Sequence, residues 1–200
     1  PVLMIFTARL GNRIISVENV MLDDSGKIRP YISSSGREAL TPAARGCRIY
    51  FATGNGRKRK VLTYLRMRLG KDTLERSTCE GKFFDALPRF GMITKSAVYL
   101  LHGSSMQHIS RYLLERSDII LQDDSGIPYR MFSRDEWNVS LHGRYTRPPF
   151  ISDLPDAPVQ NDLADAYKNV RDELPFNFGY GVLAGTGRSN LLCAVRKQKN

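Results

Sequence analysis

The chain has 200 residues, of which 42% are hydrophobic, 25% charged and 10% aromatic, and 30 Lys and Arg against 20 Asp and Glu give a net charge of +10. This composition excludes a disordered, collagen-like or low-complexity protein. No stretch approaches the roughly 20 apolar residues that a membrane-spanning helix needs. We predict one α+β domain over residues 1–200. Because the sequence opens on Pro1 rather than Met, we expect it to be a fragment of a longer protein.

The first part of the sequence is predicted to consist of strands and turns. Three segments have the apolar or alternating pattern of strands, 2–8, 13–22 and 27–32. Gly11 and Asn12 form a two-residue hairpin signal between the first two segments, because both residues tolerate a positive φ. Residues 33–46 are rich in Ser, Gly, Pro and Ala, and this composition predicts a loop.

The most regular pattern predicts a hairpin over Arg48–Thr53 and Val61–Leu69. Alternate residues of a strand share a face, so one face is expected to be apolar and the other basic and aromatic. The apolar, buried face is expected to contain Ile49, Phe51, Val61, Leu65, Met67 and Leu69. The opposite face is expected to carry Arg48, Tyr50, Tyr64, Arg66 and Arg68.

The rest of the chain mixes helices with short strands. Apolar residues at helical spacing predict helices over 82–90, 95–101, 105–117 and 162–173. Strands are predicted over 119–121, 129–132, 139–145, 176–183 and 190–195. Strands dominate both ends and helices are grouped between them. The predicted fold class is therefore α+β, with a mainly antiparallel sheet built from hairpins.

Positive charge is concentrated in residues 45–95, which carry 13 Lys and Arg against 4 Asp and Glu. The candidate anion-binding residues all lie on the predicted hairpin: Arg48, Lys58, Arg59, Lys60, Arg66 and Arg68. Guanidinium groups are fork-shaped phosphate donors, and interleaved Tyr side chains offer stacking surfaces. We therefore expect a non-enzymatic binding or structural domain whose basic face contacts an anionic polymer. Two alternatives stay open, a solvated surface and an interface with a region that precedes Pro1.

The tetrapeptide Asp-Asp-Ser-Gly occurs twice, at 23–26 and at 123–126. Asp and Ser bind their own backbone and Gly accepts a positive φ, so the pattern predicts a turn. Paired carboxylates beside a hydroxyl are also typical of cation binding or acid–base chemistry. The alternative function is therefore a hydrolase-like enzyme. The residues of that site are Asp123, Asp124 and Ser125, joined by Tyr129 and by Lys95 or His102.

The sequence lacks the common motifs that indicate a metal site or a cofactor site. Its cysteines, Cys47, Cys79 and Cys193, are odd in number and have no CxxC spacing. This pattern argues against a disulfide framework and against a closed zinc site. The sequence also contains no P-loop and no nucleophile elbow. We expect neither a metal nor a cofactor.

Three segments resemble an uncharacterised family of bacterial proteins. They are Lys95-Ser-Ala-Val-Tyr-Leu-Leu-His102, the segment 117–130 that ends Leu-Gln-Asp-Asp-Ser-Gly-Ile-Pro-Tyr-Arg, and Phe176-Asn-Phe-Gly-Tyr180. In that family these blocks occur in the same order, in the C-terminal part of a longer chain. The resemblance implies a location in the bacterial envelope or periplasm. It implies no activity, because the family has no established catalytic or binding residues.

Overall fold

A computed structural model describes residues 2–31, 44–53, 56, 58–67, 69–74, 77–95, 99–145, 159–179 and 189–198. Its internal contacts divide the chain into two compact units, Pro1–Leu87 and Pro88–Asn200, which we call unit 1 and unit 2. Each unit contains a four-stranded sheet that is mostly or wholly antiparallel. Helices accompany both sheets, which confirms the predicted α+β class. The prediction of a single domain stays a prediction.

Unit 1 is built on an antiparallel sheet with the strand order β2-β1-β3-β4. The strands are β1 (Arg13–Leu22), β2 (Ile28–Pro30), β3 (Arg45–Ala52) and β4 (Arg59–Arg66). The helices are α1 (Val2–Arg9) and α2 (Cys79–Ala86), with a 3-10 turn at Lys71–Leu74 before α2. The predicted hairpin is confirmed as β3 and β4, and the strand predicted at 13–22 is confirmed as β1.

The first element is a helix, so the prediction of a strand over residues 2–8 is wrong. A short apolar run fits a strand or a helix equally well, and periodicity alone does not separate them. The Thr7 hydroxyl donates to the Leu3 carbonyl one turn earlier, and the Asn12 side chain donates to the Thr7 carbonyl. Gly11 has a φ of 74° and turns the chain out of the helix into β1. Gly11 and Asn12 thus end a helix and do not join two strands.

Unit 2 contains a sheet with the strand order β5-β6-β8-β7. Its strands are β5 (Phe90–Thr94), β6 (Ser117–Gln122), β7 (Trp137–Gly143) and β8 (Asn190–Arg196). Its helices are α3 (Gln107–Arg116) and α4 (Asn161–Tyr167), with 3-10 turns at Leu100–His102, Ser104–Met106 and Tyr129–Met131. β5 and β6 are parallel, and α3 lies between them in the sequence, as parallel strands require a crossover connection.

Several other predictions need correction. The helix predicted over 82–90 ends at Ala86, and Phe90 already belongs to β5. Residues 129–131 form a 3-10 turn instead of a strand, and the helix predicted over 162–173 ends at Tyr167. Short segments of mixed polarity carry little periodic signal, so tertiary packing decides their structure. Residues 176–179 do not form a strand, and the rest of the strand predicted at 176–183 lies outside the described residues, as does most of the loop at 33–46.

The topology of unit 2 brings polar residues to one edge of its sheet. The carboxyl ends of β5 and β6 meet there, because the two strands are parallel. β8 runs antiparallel to β6, so its first residue, Asn190, lies at the same edge. The middle of the sheet is apolar, with Ile120 and Ala194 paired and fully buried. Among the described helices, none has the length and apolar composition that crossing a lipid bilayer requires.

Candidate functional site

Basic residues gather where the sheet of unit 1 ends at the β3–β4 connection. Ala52, the last residue of β3, pairs with Arg59 of β4 on one side and with Arg13 of β1 on the other. Directly paired residues share a face, so Arg13 and Arg59 flank Ala52, with Cα atoms about 10 Å apart across two strand spacings. We call the following residues the basic cluster: Arg9, Arg13, Lys58, Arg59 and Lys60.

The side chains of the basic cluster are exposed to solvent. All five of its side chains are exposed, and none forms an ion pair within the part of the chain that the structure describes. The acidic residue of β1, Glu18, pairs with Arg48, four residues before Ala52 on β3 and about 13 Å away along the strand. A local excess of positive charge of this kind attracts anions.

Arg48 does not belong to this cluster, although the sequence suggested it as an anion-binding residue. Its Nη1 donates to Glu18 Oε1 over 3.1 Å, and the Tyr50 hydroxyl donates to the same carboxylate oxygen over 2.8 Å. Hydrogen bonding to Tyr50 is the main cause that raises the pKa of Arg48 above its usual range, and the charge of Glu18 adds to it. Arg48 therefore already has an anionic partner inside unit 1.

Arg66 lies on the face opposite to Arg48, so the expected single basic face is wrong. β3 pairs Arg48 with Thr63, which puts Arg66, three residues further along β4, on the other side of the sheet. The expected apolar face fails for the same reason, because Val61 pairs with Tyr50 and is 54% exposed. A shift of one residue in register moves every side chain of a strand to the other face. Arg68 lies outside the described residues.

A shallow cavity adjoins the basic cluster. It has a volume of about 220 Å³ and is lined by Ile15, Ser16, Tyr50, Arg59, Lys60 and Val61. A β-bulge between Ile14 and Ser16 alters the register of β1 beside it. The cavity therefore combines two cations with an aromatic ring, but it is smaller than a typical site for a whole organic ligand.

The two Asp-Asp-Ser-Gly segments form the same turn, which confirms the interpretation based on local chemistry. Asp23 Oδ1 accepts from Ser25 N over 3.0 Å and from Ser25 Oγ over 2.7 Å. Asp123 Oδ1 accepts from Ser125 N over 3.0 Å and from Ser125 Oγ over 2.5 Å. The first turn is solvated, and these hydrogen bonds, with Ser25 Oγ the largest contributor, hold the pKa of Asp23 well below its usual range.

The second turn differs from the first because the carboxylate of Asp124, the residue after Asp123, belongs to a buried polar network. Asp124 Oδ2 accepts from the Tyr99 hydroxyl over 2.5 Å, and Asp124 Oδ1 accepts from Asn190 Nδ2 over 2.8 Å. The Asp124 N–H donates back to Asn190 Oδ1, and Gln160 Nε2 donates to the Asp124 carbonyl. Asp124 is 4% exposed, so this network holds a carboxyl group at the sheet edge away from water.

Burial shifts the titration of the groups around Asp124. It raises the pKa of the Asp124 carboxyl, and the hydrogen bonds from Tyr99 and Asn190 offset only part of this effect. Burial also raises the pKa of Tyr99, helped by the charge of Asp124, so the phenol stays protonated and donates. Burial lowers the pKa of His102, whose ring meets that of Tyr99 edge-on at 5.4 Å.

The structure brings some of the residues predicted for this site together and leaves others apart. His102 joins it through Tyr99, whereas Lys95 is exposed at the end of β5. Tyr129 contributes its backbone N–H, which donates to Gln160. Sequence reasoning missed the main partners of Asp124, which are Tyr99, Asn190 and Gln160. The order of β5, β6 and β8 in the sheet brings them together, and no local pattern signals that order.

Comparisons with known proteins and the arrangement of the described metal-ligating side chains assign no function to the chain. No protein-family model matches the chain, and no match is found among curated proteins or solved structures. Within the described ranges, no group of three or more His, Cys, Asp or Glu side chains could hold a metal ion. The basic cluster of unit 1 and the buried network around Asp124 of unit 2 are therefore the two candidate functional sites.

Proposed function

We propose that unit 1 is a non-enzymatic binding module that takes an anionic partner at the basic cluster. The observation that carries this proposal is the row Arg13-Ala52-Arg59, which places two exposed guanidinium groups on one face of the sheet. Lys60 follows Arg59 on β4, an edge strand, with its side chain on the opposite face of the sheet, and Lys58 lies just before the strand. Arg side chains whose Cα atoms lie about 10 Å apart are able to contact separate anionic groups of one partner.

The proposed contact is electrostatic and does not require one particular structure of the partner. Exposed cations hold anions through long-range attraction and the release of counterions, so the affinity falls steeply as salt is added. The fork of Arg13 or Arg59 binds two oxygens of one phosphate, sulfate or carboxylate group at once. Tyr50 lines the adjacent cavity but uses its hydroxyl on Glu18, which leaves its ring rather than its hydroxyl for the partner.

Binding of a labelled single-stranded oligonucleotide across a salt series tests this proposal. We expect Arg13→Gln/Arg59→Gln to lower the affinity at low salt at least about tenfold and to flatten its salt dependence. Arg111→Gln/Arg134→Gln is the matched control, because it removes the same charge from exposed positions of unit 2. Equal losses in both variants would reduce the effect to net charge. If the chain does not bind the oligonucleotide, the role left for Lys58 and Lys60 would be to keep an exposed strand edge from pairing with another chain.

A second candidate function is acid–base catalysis at Asp124 in unit 2. It is favoured by one observation, the convergence of a buried carboxyl with the Tyr99 hydroxyl over 2.5 Å at the carboxyl ends of two parallel strands. Burial raises the pKa of Asp124 toward the range in which a carboxyl transfers protons near neutrality. Asp123 and Ser125 bond to one another in the turn, so they support the backbone that carries Asp124.

A panel of chromogenic esters, phosphodiesters and glycosides tests the catalytic candidate. We expect turnover of at least one class by the wild-type chain and its loss in Asp124→Asn, which keeps the shape of the side chain. Circular dichroism and thermal unfolding establish that the variant is folded. Turnover of no class above that of Asp124→Asn would limit the network to a structural role.

A further inference from the structure

Helix α1 leaves most of its large apolar side chains exposed. Val2, Ile5 and Phe6 are 62%, 57% and 57% exposed, and Leu10, just past the helix, is 78% exposed. These residues follow the spacing of three and four that places side chains on one face of a helix. The polar side chain of Thr7 is instead buried. A surface helix of a globular protein normally has the opposite arrangement, so this apolar face is available to a partner.

The apolar face of α1 adjoins the basic cluster. Arg9 is the last residue of α1 and lies on the same helical face as Phe6 and Val2 by its spacing. Hydrogen bonds from Gly11 to Ala8 and from Asn12 to Thr7 make the connection to β1 tight. Arg13 follows at once and pairs with Ala52, next to Arg59. One end of unit 1 thus presents exposed apolar side chains bordered by cations.

We propose that this end of unit 1 docks on the surface of a membrane that contains anionic lipids. The inference rests on the proposed anion-binding function and names its partner. In this arrangement, Phe6, Leu10 and Ile5 enter the boundary between headgroups and acyl chains, and the basic cluster contacts lipid phosphates and carboxylates. The helix lies in the plane of the membrane surface and does not cross it.

Two features favour a lipid surface over a nucleic acid as the partner. Exposed aliphatic side chains gain free energy when they enter an acyl-chain layer, whereas nucleic acid offers them no comparable apolar phase. Single strands are instead bound by aromatic platforms among cations, and the exposed apolar face offers one aromatic ring, Phe6, beside the aliphatic side chains of Val2, Ile5 and Leu10. The combination of an apolar helix face with Lys and Arg at its border is typical of peripheral membrane attachment.

Co-sedimentation of the full chain with vesicles tests the inference. The probes are vesicles of phosphatidylcholine with and without phosphatidylserine, and the same labelled oligonucleotide serves as the second ligand. We expect binding that requires phosphatidylserine. Arg13→Gln/Arg59→Gln should weaken it about fivefold for each charge removed. Phe6→Ser/Leu10→Ser should weaken vesicle binding at least about tenfold and change oligonucleotide binding less than about twofold.

Two further measurements separate insertion from other causes. Ile93→Ser is the matched control for the apolar variant, because Ile93 is 71% exposed on β5 of unit 2, and it should bind vesicles like the wild type. In Phe6→Trp, vesicles with brominated acyl chains should quench the new tryptophan. Trp137 is 3% exposed and is measured alone in the wild type as the background.

The outcomes distinguish this inference from the proposed function. Oligonucleotide binding without vesicle binding, or vesicle binding that Phe6→Ser/Leu10→Ser leaves unchanged, would overturn the lipid partner and keep the anion site. If the wild-type chain does not bind vesicles but dimerises, and Phe6→Ser/Leu10→Ser makes it monomeric, the apolar face would be assigned to a second copy of the chain. Binding to neither ligand would remove both proposals.

Discussion

Tyr99 and Asp124 form a buried hydrogen bond in unit 2 in which the phenol hydroxyl donates to the carboxyl oxygen Oδ2 over 2.5 Å. Tyr99 has a φ of 54°, a left-handed backbone conformation that a bulky residue rarely adopts. The two side chains are 4% exposed each. A strained backbone persists where surrounding contacts hold it, so this hydrogen bond is expected to stabilise the edge of the sheet.

Tyr99→Phe should destabilise the chain by about 1–3 kcal/mol, because it leaves a buried carboxyl oxygen without its donor. Urea unfolding measures this loss as a change in the free energy of unfolding. Tyr129→Phe is the control, since Tyr129 joins the network through its backbone N–H. Equal losses of stability in the two variants would show that the hydrogen bond to Asp124 adds nothing to the general effect of removing a phenol hydroxyl.

Asp124→Asn should change how stability depends on pH. The pKa of Asp124 is raised by burial, so its contribution to stability is complete below the ordinary Asp pKa of about 3.9 and is lost as pH rises through the raised value. Asn does not ionise. The stability of Asp124→Asn relative to the wild type should therefore increase as pH rises, in urea unfolding at a series of pH values. A difference that stays constant with pH would contradict the raised pKa.

Gly179→Ala should destabilise the turn at Asp123 by at least about 2 kcal/mol. Gly179 has a φ of 85°, and an added Cβ would lie 2.9 Å from Asp123 Cβ. Gly11→Ala is the matched control, because its φ is 74° and no described atom lies within 4 Å of its added Cβ. It should cost only about 1–2 kcal/mol for the left-handed backbone. Thermal unfolding of both variants measures the difference, which should vanish if Gly179 does not pack on Asp123.

Arg48→Gln should leave oligonucleotide binding within about twofold of the wild type, because Glu18 already neutralises this cation. It should lower the free energy of unfolding by about 0.5–1.5 kcal/mol, since it removes a hydrogen bond to a half-buried carboxylate. Glu18→Gln/Arg48→Gln should recover part of this stability. A loss of affinity in Arg48→Gln as large as that in Arg13→Gln/Arg59→Gln would return Arg48 to the binding surface.

Local chemistry was predictable from the sequence. The turns at Asp23 and Asp123 follow from side chains that bond to their own backbone two residues on, so both copies fold alike. The hairpin of β3 and β4 follows from alternating polarity on both sides of Gly-rich residues. In each case, the interactions that decide the structure lie within a short stretch of sequence.

Features that depend on distant pairing were not predictable. Arg13 reaches the basic cluster only because β1 pairs with β3, and the pair Arg13–Ala52 joins residues far apart in the sequence. The face of the sheet that Arg66 occupies depends on the register between β3 and β4. One residue more or fewer in the connection between these strands would move Arg66 to the other face. Asn190 meets Asp124 because β8 lies beside β6, an order of strands that no single segment encodes.

The location of the anion site is tested most directly by a nuclear magnetic resonance titration of the isotope-labelled chain with a short single-stranded oligonucleotide. We expect the backbone amide shifts to concentrate at residues 9–13, at Ala52 and at Lys58–Val61, and to disappear in Arg13→Gln/Arg59→Gln. Shifts concentrated around Arg48 and Arg66, or within unit 2, would contradict the basic cluster as the binding surface.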